Sequence, residues 1–235
     1  MTARNRLQAA LTALQGKYSI LLITFLVFFL VGPLADMFFA GEGFGDEIFD
    51  VLSIVLLLAA LYAVGTRRAP LIVASILTLP VIVGKFAYYV ENNSALFDMS
   101  DGFICLALAV VAVSVLQQVL QAEKVSREVV EGAVCVYILL GVAWACLFSL
   151  IETLHPGAFQ LPSLRTSSVL PVVVEARQRF VYYSFVTLTT VGYGDIIPVA
   201  ALAQRLAVLE AMFGQLYLSI LVARLVGLQI AHTSQ

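Results

Sequence analysis

Six runs of apolar residues set the limits on what this chain can fold into, at about 18–39, 48–64, 70–90, 103–120, 133–154 and 199–227. A helix needs ~20 apolar residues to cross ~30 Å of hydrocarbon, and most of these runs meet that length. The second is the shortest, and the third contains Pro80 and Lys85. The chain is 61% hydrophobic and 12% charged, where soluble domains carry roughly 25% charged residues. Lipid is therefore the solvent for most of it, and the expected fold is all-α and integral to the membrane, with six transmembrane helices. A net charge of -2 gives no reason to expect a nucleic-acid partner or an acidic ligand.

The first run follows Arg4, Arg6 and Lys17, as in a secretory leader, but it exceeds the apolar core of one and reads as an uncleaved first span. Ahead of it, Leu7, Leu11 and Leu14 share a helical face, so 2–15 is expected to lie along the membrane surface. Cys105, Cys135 and Cys146 sit inside apolar runs without metal-ligand spacing and read as packing thiols.

Loop charge sets the orientation. With six spans, Arg4, Arg6, Lys17, Arg67, Arg68, Lys124, Arg127 and Arg224 fall on one side. The first two opposite loops carry Asp36, Glu42, Asp46, Glu47 and Asp50, then Glu91, Asp98 and Asp101, without Lys or Arg. The basic side is cytoplasmic, so the chain is expected to be a multi-pass protein of the cell membrane with both termini inside. The acidic stretch 41–50 lacks EF-hand spacing and reads as a solvated loop.

Residues 178–190 are helix-compatible but too short to cross, and they run into Val191-Gly192-Tyr193-Gly194-Asp195 before Pro198. Non-helical backbone at membrane depth is tolerated only where protein buries it or it lines a watery cavity. A re-entrant loop satisfies that requirement. The segment Thr187-Leu188-Thr189-Thr190-Val191-Gly192-Tyr193-Gly194 resembles the potassium-channel signature T-x-x-T-x-G-Y-G at every fixed position, and the pore region from about 133 to 227 shares the likeness. Successive carbonyls of one strand point the same way only if alternate residues leave the β region, which Gly192 and Gly194 allow.

The resemblance implies a six-span subunit of a homotetramer, since one filter loop occurs per chain. The carbonyls of Thr190, Val191, Gly192 and Tyr193 and the Thr190 hydroxyl would bind K+. Thr187, Thr189, Gly194, Asp195, Tyr182 and Tyr183 would support the filter, the two tyrosines standing where many such channels have tryptophans. The implied layout is an interfacial helix over 1–17, a four-helix unit over 18–121 resembling a degenerate voltage-sensor domain, and a linker helix over 122–132. A pore domain over 133–228 and a short cytoplasmic tail over 229–235 complete it. K+ is the permeant ion and lipid the surroundings, with no small-molecule substrate.

Gly214 falls where related channels have a hinge glycine, and close helix packing is the competing reading. Gln215, Leu218 and Val222 share a helical face expected to line the cavity. Glu210 is an acid inside an apolar span, a functional candidate by default, with a hydrogen bond behind the filter, gating or ion attraction as its possible roles. Arg205 is one possible neutralising neighbour. Lys85 is expected to snorkel or to pair with Asp98 or Asp101. The fourth run contains no Lys or Arg, and each gating charge supplies only ~2.3 kcal/mol per 100 mV, so voltage dependence is expected to be weak or absent. The alternatives are a poorly selective cation channel and a silent subunit that assembles with other pore chains. No cluster of nucleophile, base and orienting group supports an enzyme.

Overall fold

The computed structural model describes residues 16–38, 44–65, 68–91, 94–161 and 172–233. The surface helix expected over 2–15, residues 41–43, and the side chains of Lys85, Asp98 and Asp101 lie outside the described residues, while residues 44–50 of the expected acidic loop are helical. The elements are α1 (Lys17–Phe38), α2 (Phe44–Val64), α3 (Arg68–Glu91), α4 (Ser94–Gln121), α5 (Arg127–Leu154), β1 (Phe159–Gln160), α6 (Val172–Leu188), β2 (Ile197–Pro198) and α7 (Ala201–Thr233).

Each apolar run is helical, as its composition dictates. Among the described residues, Gly102–Gln121, Arg127–Leu154 and Ala201–Ile230 are long and apolar enough to cross a membrane. The apolar stretches Lys17–Val31, Val51–Val64 and Arg68–Gly84 are shorter. Helix α3 passes through Pro80 without interruption, which membrane helices tolerate because nearby groups re-satisfy the freed backbone. The first four helices pack on small residues: Ala60, Ala63, Ala74 and Ala107 are fully buried. Small side chains let helices approach closely where lipid supplies no hydrophobic drive.

The linker expected as a separate helix over 122–132 is divided. Residues 122–126 are non-helical, and Ser126 caps α5 by accepting the Val129 N–H at 3.3 Å, with Glu128 in the first turn. Residues 127–132 are therefore the opening turns of α5. Gly132 lies inside α5 where Tyr18 and Val119 crowd it; a Cβ there would sit 3.1 Å from the Tyr18 ring.

One end of the bundle is tied by polar side chains. Lys17 Nζ and the Tyr18 hydroxyl donate to Gln118 Oε1 at 2.7 and 3.0 Å, while Gln118 Nε2 donates to the Val64 carbonyl at 3.2 Å. Glu131 accepts from Ser19 and from Arg127, both at 2.6 Å. Arg224 on α7 donates through Nη2 to the carbonyls of Leu120 and Ala122 at the end of α4. At the opposite end, the Glu152 carboxylate accepts the N–H groups of Gly157 and Phe159 at 2.8 and 2.9 Å. That turn holds β1 in place to pair antiparallel with β2.

Candidate functional site

Helix α6 stops at Leu188 because the following residues bend back onto its last turn. The N–H of Thr190 donates to the Thr187 carbonyl at 2.9 Å, and those of Val191 and Gly192 donate to the Val186 carbonyl at 2.9 and 3.3 Å. The Thr189 hydroxyl donates to the Phe185 carbonyl at 2.6 Å. These bonds satisfy carbonyls that the helix end leaves orphaned. The end of α6 therefore faces the start of the strand that follows.

That strand alternates in handedness. Thr190, Gly192 and Gly194 have φ of 60°, 56° and 77°, and no other non-glycine among the described residues has positive φ. Left-handed and ordinary residues thus alternate from 190 to 194, the backbone condition for successive carbonyls to line one side. The two glycines adopt it freely. Thr190 does not: a Cβ in this region costs roughly 1–2 kcal/mol. Its side chain is held, since Gln215 Nε2 on α7 donates to Thr190 Oγ1 at 3.1 Å.

Among the described residues the strand is largely uncovered: Val191 is 52% and Tyr193 71% exposed. The two tyrosines of α6 diverge. Tyr182 stacks on Tyr193, centroids 6.5 Å apart and planes 3° from parallel, and its phenol is paired with the Asp195 carboxylate. Tyr183 turns away into a cluster with Phe148, Phe159 and Phe180 behind the site. The strand's exit is fastened by the β1–β2 pair and by the Val199 and Ala200 N–H groups, which donate to the Ala158 carbonyl at 2.8 and 3.1 Å.

Gly214 is a point of close approach. A Cβ there would lie 2.2 Å from the Leu188 carbonyl oxygen, which also accepts from the Tyr137 hydroxyl at 3.2 Å. Gln215, Leu218 and Val222 are exposed along one face of α7. Glu210 is fully buried and hydrogen-bonded to Ser184 on α6. Arg205 is exposed and forms no ion pair with Glu210 among the described residues.

The structure thus brings together the expected filter residues, Thr187, Thr189, Tyr182 and Gln215, and places Leu218 and Val222 farther along α7. Ser184, Tyr137 and Glu152 belong to no motif in the sequence, yet they join this site. A hydroxyl inside the apolar face of α6, and an acid at the end of a span, were the available signals.

The same segment stands out in comparison with known proteins. A family model described as "Ion channel" matches residues 177–228, from the middle of α6 through the strand into α7. No curated protein matches the chain. Geometry and family match converge on one stretch of the molecule, residues 177–228, which is similar to an ion-channel domain.

Proposed function

We propose that four copies of this chain surround one axis to form a potassium-selective channel in the cell membrane, with six spans per subunit and both termini cytoplasmic. The observation that carries this reading is the alternation of left-handed backbone at Thr190, Gly192 and Gly194, in a T-V-G-Y-G-D strand placed at the end of a helix of 17 residues. K+ passes down its electrochemical gradient, exchanging hydration water for the carbonyl oxygens of Thr190, Val191, Gly192 and Tyr193 and for the Thr190 hydroxyl. The partly negative end of α6 favours a cation beneath them. Gln215, Leu218 and Val222 line the cavity below.

Two features support four-fold assembly. One chain supplies one strand, which encloses nothing alone. Only 11% of the span in α7 is buried within the chain, against 56% of the span in α5, so α7 offers a long apolar surface for neighbouring subunits as well as for lipid.

Purified protein in proteoliposomes should pass K+ and exclude Na+, and Gly192→Asp should abolish the flux. Equal K+ and Na+ permeability would replace this reading with a poorly selective cation channel. Vesicles equally tight with intact and mutated strands would leave a silent subunit.

A further inference from the structure

Behind the filter, three helices meet at one hydroxyl. Ser184 Oγ lies 2.7 Å from the Gly141 carbonyl oxygen on α5 and within hydrogen-bond distance of Glu210 Oε1 on α7. A serine hydroxyl has one hydrogen to donate, yet both neighbours are acceptors if Glu210 is a carboxylate. A carbonyl has no proton to give. The second hydrogen can come only from Glu210.

We propose that Glu210 is a neutral carboxylic acid that donates to Ser184, which in turn donates to the Gly141 carbonyl, so that one proton per subunit fastens the inner helix to the pore helix and the outer helix. Two further observations agree. Ser184, Glu210 and Gly141 are all buried, and Glu210 Oε2 has no hydrogen-bond partner among the described residues. An unpaired buried oxygen is far less costly on a neutral acid than on an anion. Among the described residues, Glu210 acts electrostatically on Tyr137 and Tyr183, neither of which supplies a positive charge. Among the described residues no Lys, Arg or His forms an ion pair with it.

The local packing is built for this contact. A Cβ on Gly141 would lie 2.7 Å from the Phe185 ring, so the glycine lets α6 approach α5 until Ser184 reaches the carbonyl. Ser184 stands six residues before Thr190, on the helix whose last turn carries the filter strand. Glu210 is accordingly a positioning residue acting through Ser184; that role in conduction rests on the channel reading, whereas the proton does not.

The test is infrared spectroscopy of the purified protein at neutral pH, in H2O and D2O, comparing wild type with Glu210→Gln. The carbonyl stretch of a protonated carboxylic acid, shifted in D2O and missing from Glu210→Gln, is expected. A wild-type spectrum from which Glu210→Gln removes only carboxylate bands would overturn the proposal. Thermal melting gives the second arm. Glu210→Ala and Ser184→Ala should each lower the melting temperature by several degrees, and Glu210→Gln, whose amide still donates, should recover most of that loss. Equal losses in Glu210→Gln and Glu210→Ala would refute the donor role. Neither readout depends on which ion the protein conducts.

Discussion

Two glycines show how the same residue type can serve opposite physical needs. At Gly192, φ is 56° and nothing lies within 4 Å of the place a Cβ would take, so the requirement is conformational. Gly192→Ala should cost about 1–2 kcal/mol in every subunit and lower K+ flux more than about tenfold, measured in vesicles. At Gly214 the backbone is ordinary helix and the requirement is space, because the Leu188 carbonyl occupies the place of a Cβ. Gly214→Ala should destabilise the protein by about 1–3 kcal/mol, seen as a lower melting temperature. Gly227→Ala, where nothing lies within 4 Å, should be neutral or stabilising by up to about 1 kcal/mol. The need for glycine at 192 is legible in the motif, since it follows from how carbonyls must point. The positive φ of Thr190 is not, because threonine has no intrinsic preference for it and the contacts that hold it come from the last turn of α6 and from Gln215. The partner of Glu210 was illegible for a related reason: Arg205, the neighbour on its own helix, stands at an unfavourable five-residue spacing, and the contact is made between helices, with Ser184.

At the scale of elements, the apolar runs became helices because lipid leaves the backbone few other ways to pair its polar groups. Their ends were less legible. Helix α5 starts at Arg127 because Ser126 caps it, and α6 begins at Val172, before the apolar pattern around Tyr182 makes a helix evident. Connections between elements were not legible at all. Glu152 reads as an acid at the end of a span, yet it holds the turn that seats β1. Glu152→Ala removes two hydrogen bonds and should cost about 1–3 kcal/mol. The measurable result is faster amide hydrogen exchange at Val199 and Ala200, with α1 to α3 unchanged. Arg224 joins α7 to the final carbonyls of α4, where a cation also complements the helix dipole. Arg224→Ala should speed exchange in the last turn of α4 while leaving the β1–β2 pair protected.

For the molecule as a whole, the sequence leads to the expectation of a four-helix unit over 18–121 and a pore module over 133–228, the latter marked by the re-entrant segment that ends in T-V-G-Y-G-D. It does not convey how the two units touch. Phe185 on α6 packs against Phe25 and Phe29 of α1, with centroids 5.6 and 6.1 Å away, so the first helix leans on α6 of its own chain. The span of α4 has no Lys or Arg between Gly102 and Gln121, and steep voltage gating needs three or four charges per subunit. Conductance should therefore change only shallowly with voltage in planar bilayers, and a slope equivalent to several charges per subunit would contradict that expectation. The strand 190–195, for its part, is moored at both ends to a single mast: Tyr137 of α5 holds the carbonyl just before it, and the turn braced by Glu152 of α5 holds the segment just after it. Tilting that mast carries the strand along as a unit, whereas sliding the innermost helix past it would disturb the strand chiefly where Gly214 presses on Leu188 and where Gln215 grips Thr190.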